Sequence, residues 1–374
     1  MTRGGQVLLK GHFSFDAPPA VAEQPSILFT GAPLGMVLVS KEVAISGARD
    51  DQGEMTSIEG GINPFYVEAP GAFVTIQGLH FMHTRAVAIR VVAASGLLIA
   101  SNRIEGVSRD AANAAAIAVH TSPSPPTPNS PGQPENISGT VLIVNNDIDM
   151  QGTPGVNFLA IIAFAMGKSP DKEVDLYISG NNIRKSTERP INVYNVGGRA
   201  YIERNVITTG IAVGSVAPSP DVIHIQGYGS YLIAHNSIDC AWAQGAGIRL
   251  QTQNTEWPVS HAIIVDNDVT MSAPEGTVFE ATSAVIEVRG AGEGNIVLNN
   301  RIRGRANFAL SVVAQNGAPQ NTTFIMNDLR GFTSAQADLF VDAGGTNKIA
   351  VGRQNTVEDH GSGTVIVPGT PSER

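Results

Sequence analysis

Short apolar segments alternate with polar turns along the whole chain, and one arrangement recurs. An apolar residue is followed by another two positions later, by Asn three further on, and by an apolar residue two past it. The copies include LLIASNRIEG around Asn102, VLIVNNDID around Asn146, LYISGNNIRK around Asn181 and AYIERNVIT around Asn205. YLIAHNSID around Asn236, AIIVDNDVT around Asn267, IVLNNRIRG around Asn300 and FIMNDLRG around Asn327 continue the series, and a looser copy ends near Asn355. Successive asparagines are separated by 24 to 44 residues. The shortest interval sets the minimum repeat, and the longer ones are repeats with inserted loops. Between the asparagines lies a second motif, a short strand with apolar residues at alternate positions, as in PINVYNVGG, VIHIQGYG, GIRLQTQ and VIEVRGAG.

Strands of three to five residues at this period are too close together for helix-connected parallel pairing, which needs crossovers of a dozen residues or more. Stacked coils satisfy the pattern: each strand pairs with its counterpart one coil on, and inward side chains build one continuous core. The prediction is an all-β chain of about twelve coils with three parallel sheets. The repeated Asn suits a tight turn because Asn tolerates left-handed backbone. Stacked asparagines then hydrogen-bond as a ladder.

The spacing, together with GGINPFYVEAPGAFVTIQGLHF near the start, resembles the right-handed parallel β-helix proteins of the pectin-lyase-like superfamily. The resemblance covers Val37 to Val367. It implies one β-helix domain over 1–374, with an N-terminal cap and first strands over 1–36, coils over 37–367 and a tail over 368–374. Members include carbohydrate lyases, hydrolases and epimerases, alongside adhesins and tailspikes. In that superfamily substrate lies on the outer face of the alternating strand and its flanking loops.

Composition narrows the function classes. The 374 residues include 40 Gly and 22 Pro but only 15% charged residues, a poor mixture for helices. The formal net charge of −9 argues against general nucleic-acid binding. No apolar run reaches membrane-spanning length. A single cysteine, Cys240, precludes an internal disulfide and a multi-cysteine metal site. The start, MTRGGQVLLKGHF, lacks a signal-peptide pattern. The chain as written therefore reads as cytoplasmic, with secretion after leader removal as the alternative. Homo-oligomerisation is left open, since solenoid ends present edge strands.

Alternation sorts the second motif into inward and outward positions. Inward pairs include Ile191/Val193, Ile223/Ile225, Ile248/Leu250 and Ile286/Val288. The outward residues form two columns. One runs Tyr66, Arg90, Ala118, Ile162, Asn192, His224, Arg249, Glu287, Ser311, Phe340; the other runs Glu68, Val92, His120, Phe164, Tyr194, Gln226, Gln251, Arg289, Val313, Asp342. Both columns are expected to face solvent. The polar middle holds Asn192, Tyr194, His224, Gln226, Arg249, Gln251, Glu287 and Arg289. The bland reading is a polar sheet face in which Arg249 and Glu287 pair. The two tryptophans, Trp242 and Trp257, flank the strand of Arg249 and are expected to wall a groove, since aromatic faces stack on sugar rings. His120 opens onto a six-proline stretch read as an extended loop, and Ile162 with Phe164 reads as an exposed apolar pair.

The central face offers one carboxylate, Glu287, with Asp342 two coils away. That is too few for calcium and too far apart for paired-carboxylate hydrolysis, unless Asp221, Asp239 or Glu256 contributes. No cofactor or metal is called for. Proton abstraction next to a uronate carboxylate fits these residues: Arg249 neutralises the carboxylate, and His224 and Tyr194 exchange the proton. Asn192, Gln226, Gln251, Glu287, Arg289, Trp242, Trp257 and His120 would contact the saccharide. The competing classes are a non-catalytic glycan- or ligand-binding protein and a cyclase or isomerase of a small metabolite.

Overall fold

The computed structural model describes residues 4–15, 37–107, 114–120, 137–151, 158–166, 173–209, 221–241, 245–252, 255, 257–272, 279, 284–342, 346–351, 357–359 and 365–368. Among them every regular element is a strand. They group into two compact units, Met1–Gly198 with Ala212–Val216, and Arg199–Ile211 with Ala217–Arg374.

Each unit repeats a three-strand coil. In the first, six strands from Gly5–Leu9 to Val174–Ser179 form the sheet that leads into the asparagine turn. Six from His12–Phe15 to Asn182–Ser186 follow the turn, and six from Val37–Val39 to Ile191–Val196 form the alternating sheet. In the second unit the alternating sheet again has six strands, from Ile223–Gln226 to Val357–Asp359. Every strand pair is parallel, each with its counterpart one coil on, as in His224↔Arg249↔Glu287↔Ser311. The fold class of both units is the right-handed parallel β-helix. The early segment VLLKGHFSF supplies the opening strands of two sheets, which pair with Val43–Gly47 and Ser57–Gly60.

The core of each coil is made by the inward residues. Ile223, Ile225, Ile248 and Ile286 are completely buried, and Leu250 and Val288 nearly so. The ladder forms as expected. In the second unit the Oδ1 of Asn236, Asn267, Asn300 and Asn327 each accepts from the backbone N–H and the side-chain amide of the preceding asparagine, at 2.9–3.0 Å. In the first unit the Oδ1 of Asn146 accepts in the same way from Asn102, and that of Asn181 from Asn146, at 3.0–3.1 Å. The left-handed residue is not the ladder Asn, however, but the residue before it. Ser101, Asn145, Arg204, His235, Asp266, Asn299 and Met326 have φ of 53–55°. The turn bends one position early, which frees the ladder amide to point into the coil.

The expectation of a solvent-facing first column fails. Tyr66, Arg90, Ala118, Ile162 and Asn192 in the first unit are at most 4% exposed, as are His224, Arg249, Glu287 and Ser311 in the second. In the first unit a second apolar cluster explains part of this: Ile62, Ala86, Val87 and Leu159 gather with Ala118 and Ile162, and Phe164 packs against them. Ile162 is therefore core rather than an exposed patch. The six-proline stretch after His120 lies outside the described residues.

Candidate functional site in the second unit

Three consecutive strands build the site: Ile223–Gln226, Ile248–Gln251 and Ala284–Arg289. Each alternates apolar and polar residues, so two polar side chains per strand leave the coil on the same face. Register sets His224 opposite Arg249 opposite Glu287, and Gln226 opposite Gln251 opposite Arg289. Neighbours are therefore about 4.8 Å apart along the face.

The inner row is a closed ionic group. Arg249 Nη1 donates to Asp221 Oδ2 at 2.9 Å, and Arg249 Nε lies 2.7 Å from Glu287 Oε1. Arg289 grips Glu287 with two nitrogens, Nε on Oε1 and Nη2 on Oε2 at 3.0 Å. His224 Nδ1 lies 3.7 Å from Asp221 Oδ2. Asp221 immediately precedes its strand, and its Oδ1 accepts the N–H of Ala246 at 2.9 Å. That bond ties Asp221 to the start of the next coil and aims its second oxygen at Arg249. Asp221, His224, Arg249 and Glu287 are 0–2% exposed. Charges buried to this degree persist only when paired, and here they are.

The outer row is half-buried and polar without charge except for Arg289. Gln251 Oε1 lies 2.8 Å from His224 Nε2 and accepts from Gln226 Nε2 at 3.2 Å, while Gln251 Nε2 donates to Gln315 Oε1 at 3.2 Å. The amides thus cover His224 and link it to the surface. The strand of Arg289 then turns at Gly290, whose φ of 84° favours glycine and where a Cβ would meet Gln315 O at 2.5 Å. Beyond Gln226, Tyr228 stands edge-on to Trp257, ring centroids 5.9 Å apart and planes at 80°. The hydroxyl of Tyr231 donates to Tyr228 O at 2.6 Å and holds that turn.

The remaining expected residues fall elsewhere. Trp242 and Glu256 lie outside the described residues. Asn192 and Tyr194 belong to the first unit, each 3% exposed; Tyr194 meets Phe164 edge-on at 5.7 Å, and burial raises its pKa. The expected proton-transfer pair, His224 and Tyr194, is therefore divided between the two units. His120 ends the strand Ala114–His120 in the first unit, opposite Phe164. Asp239 sits on a different sheet, where Ser272 Oγ donates to it at 2.6 Å, and Cys240 beside it is buried. The residue sequence reasoning undervalued is Asp221. Its signal is its place as the last polar position before VIHIQ. A concavity of about 390 Å³ lies elsewhere in this unit, lined by Asp266, Asp268, Arg301, Asp328 and Arg330. There Arg301 and Arg303 hold Asp268, and Arg330 holds Asp328. Such an exposed, self-neutralising surface offers little for chemistry.

Asp221 and Glu287 hang on one planar guanidinium, so the two oxygens that meet Arg249 are at most about 8 Å apart. Among the described residues no group of three or more His, Cys, Asp or Glu could hold a metal ion. No described helix is long and apolar enough to cross a membrane.

No known family profile and no curated protein matches the chain. Solved structures do. A DFA-IIIase from Arthrobacter chlorophenolicus A6, in complex with GF2, aligns with a TM-score of 0.55 at 13% identity, over 90% of this chain and 85% of that one. This chain is a parallel β-helix protein. The A-module of the Azotobacter vinelandii mannuronan C-5 epimerase AlgE6 also aligns, over 98% of this β-helix and 92% of that chain, at 13% identity with a TM-score of 0.30. At such identities likeness is confined to the fold, which hosts many activities.

Proposed function

We propose that the chain is a carbohydrate-active enzyme that cleaves or transfers a glycosidic bond at Asp221 and Glu287 of the second unit. The observation that carries this reading is the placement of both carboxylates on Arg249, directly beneath the amides of Gln226 and Gln251; both are buried as the structure stands, so the reading requires Gln251 to swing aside when a sugar binds. Carboxylate pairs separated by less than about 9.5 Å flank the scissile bond in glycoside cleavage. Glu287, facing two guanidiniums, is the charged arm that meets the sugar carbon or activates the attacking hydroxyl. His224, held 3.7 Å from the Asp221 carboxylate, is the arm that delivers a proton to the leaving oxygen. The half-buried amides of Gln226 and Gln251 bond sugar hydroxyls, and Trp257 with Tyr228 provides the apolar wall on which a pyranose or furanose face packs. The neighbour solved with GF2 supports a saccharide ligand by analogy of fold.

A second reading is metal-independent lysis or epimerisation of a uronate sugar, with His224 as base and Arg249 neutralising the acid. The facing positions of His224 and Arg249 favour it. A screen of oligosaccharides separates the two. New reducing ends or transfer products, lost in both Glu287→Gln and Asp221→Asn, support glycosidic cleavage. Unsaturated products lost in His224→Ala support the lyase. A bound glycan with no turnover marks a binding protein and overturns both enzymatic readings.

A further inference from the structure

The stretch of chain that builds this site is poor in cations. Residues 205–300 contain two basic residues, Arg249 and Arg289. Of the nine acidic ones, Asp239 and Asp268 belong to the sheet that follows the asparagine turn, where Arg301 and Arg303 hold Asp268. The segments of this stretch outside the described residues, 210–220, 242–244, 253–254, 256, 273–278 and 280–283, contain neither Lys nor Arg. No loop flanking the three strands therefore brings a Lys or Arg of its own to this face. The two cations present are engaged: Arg249 with Asp221 and Glu287, Arg289 with Glu287 through both Nε and Nη2. Two guanidiniums and two carboxylates balance, and the surface they leave is made of amides and aromatic rings.

We infer that this face of the three strands takes an uncharged saccharide and rejects polyuronates. The inference rests on the carbohydrate reading above and names its substrate class. A uronate carboxylate entering here would meet amide groups and two carboxylates whose arginine partners are already committed. It would also lose hydration without gaining an ion pair. A neutral sugar meets the reverse. Its hydroxyls match the donors and acceptors of Gln226, Gln251 and Gln315, and its apolar face matches Trp257.

Two measurements test this on the full-length protein. The first is binding of neutral oligosaccharides, GF2 among them, and of oligouronates of the same length, at low and high salt. The expected result is neutral binding that changes little with salt and is lost in Trp257→Ala, with oligouronates at least about ten-fold weaker. Oligouronates bound equally or more tightly, with affinity falling as salt rises, would overturn the inference. The second measurement needs no ligand. In Trp242→Phe, which leaves Trp257 as the sole tryptophan, fluorescence quenching by iodide is compared with quenching by caesium and by acrylamide. With no uncommitted cation beside Trp257, iodide quenches it no better than caesium or acrylamide, each taken relative to free tryptophan amide. Preferential quenching by iodide would overturn the charge argument. If no saccharide of either class binds, the carbohydrate reading falls, while the quenching result still decides whether a free cation stands beside Trp257.

Discussion

Replacing Arg249 by Met tests whether the buried ionic row is as tightly coupled as its distances indicate. Met keeps much of the stem volume and removes the guanidinium. The two carboxylates lose unequal amounts. Glu287 keeps Arg289 on both of its oxygens. Asp221 loses the Arg249 guanidinium on Oδ2 and retains the Ala246 N–H on Oδ1. A buried carboxylate stripped of its partner destabilises by about 3–5 kcal/mol. Most of that loss is therefore expected at Asp221. Adding Asp221→Asn to Arg249→Met keeps the Ala246 bond, removes the stranded charge and recovers at least half of the loss. Adding Glu287→Gln instead recovers little. Urea unfolding followed by far-ultraviolet circular dichroism reads all four proteins, with midpoint and slope compared together. A loss below about 1 kcal/mol for Arg249→Met, or equal rescue by both second changes, would refute the coupling.

Other consequences are equally open to measurement. In the ladder, Asn267→Ala strands the backbone N–H of Asn236, one of its amide hydrogens and Ile233 O, at about 1–3 kcal/mol for each group left unsatisfied; a thermal midpoint within a degree of wild type would contradict this. The turn residue His235 has φ of 55°, so His235→Gly removes a strained side chain and is expected to be neutral or stabilising despite glycine's entropy cost, as differential scanning fluorimetry would show. In the first unit a hydrogen bond from Arg184 holds the Asp147 carboxyl below its usual range. Asp147 therefore contributes stability that is present above the unfolded-state value of about 3.9 and lost as pH falls through the lower folded value. The stability gap between wild type and Asp147→Asn should close on acidification, and a gap that widens would reverse the sign of the interaction.

The fold was legible because its determinants are local and repeated. Each ladder Asn announces itself by apolar residues at fixed offsets, and each alternating strand by residues such as Ile223 and Ile225. The left-handed position was misplaced by one residue because Ser101, Arg204, His235 and Met326 have nothing in common chemically. What bends there is the backbone, under the demand that the next asparagine point inward. Register too was legible: pairing His224, Arg249 and Glu287 needs only one strand per coil. Burial was not, because alternation tells which way a side chain leaves the coil and not what lies over it. Asp221 carries no periodic signal. It sits outside the strand, and its role depends on an Ala246 N–H and an Arg249 side chain from the next coil. The division of Tyr194 and His224 between two units likewise depends on how contacts cluster in three dimensions, to which a column of positions is blind.

The most direct test of the central claim is a crystal structure of the Glu287→Gln protein with a neutral oligosaccharide bound. The account predicts a sugar ring against Trp257, its hydroxyls on Gln226 and Gln251, and a glycosidic oxygen within hydrogen-bonding reach of Asp221 or position 287. A saccharide seated on another face of the β-helix, with Asp221, Arg249 and position 287 still sealed beneath Gln251, would contradict it.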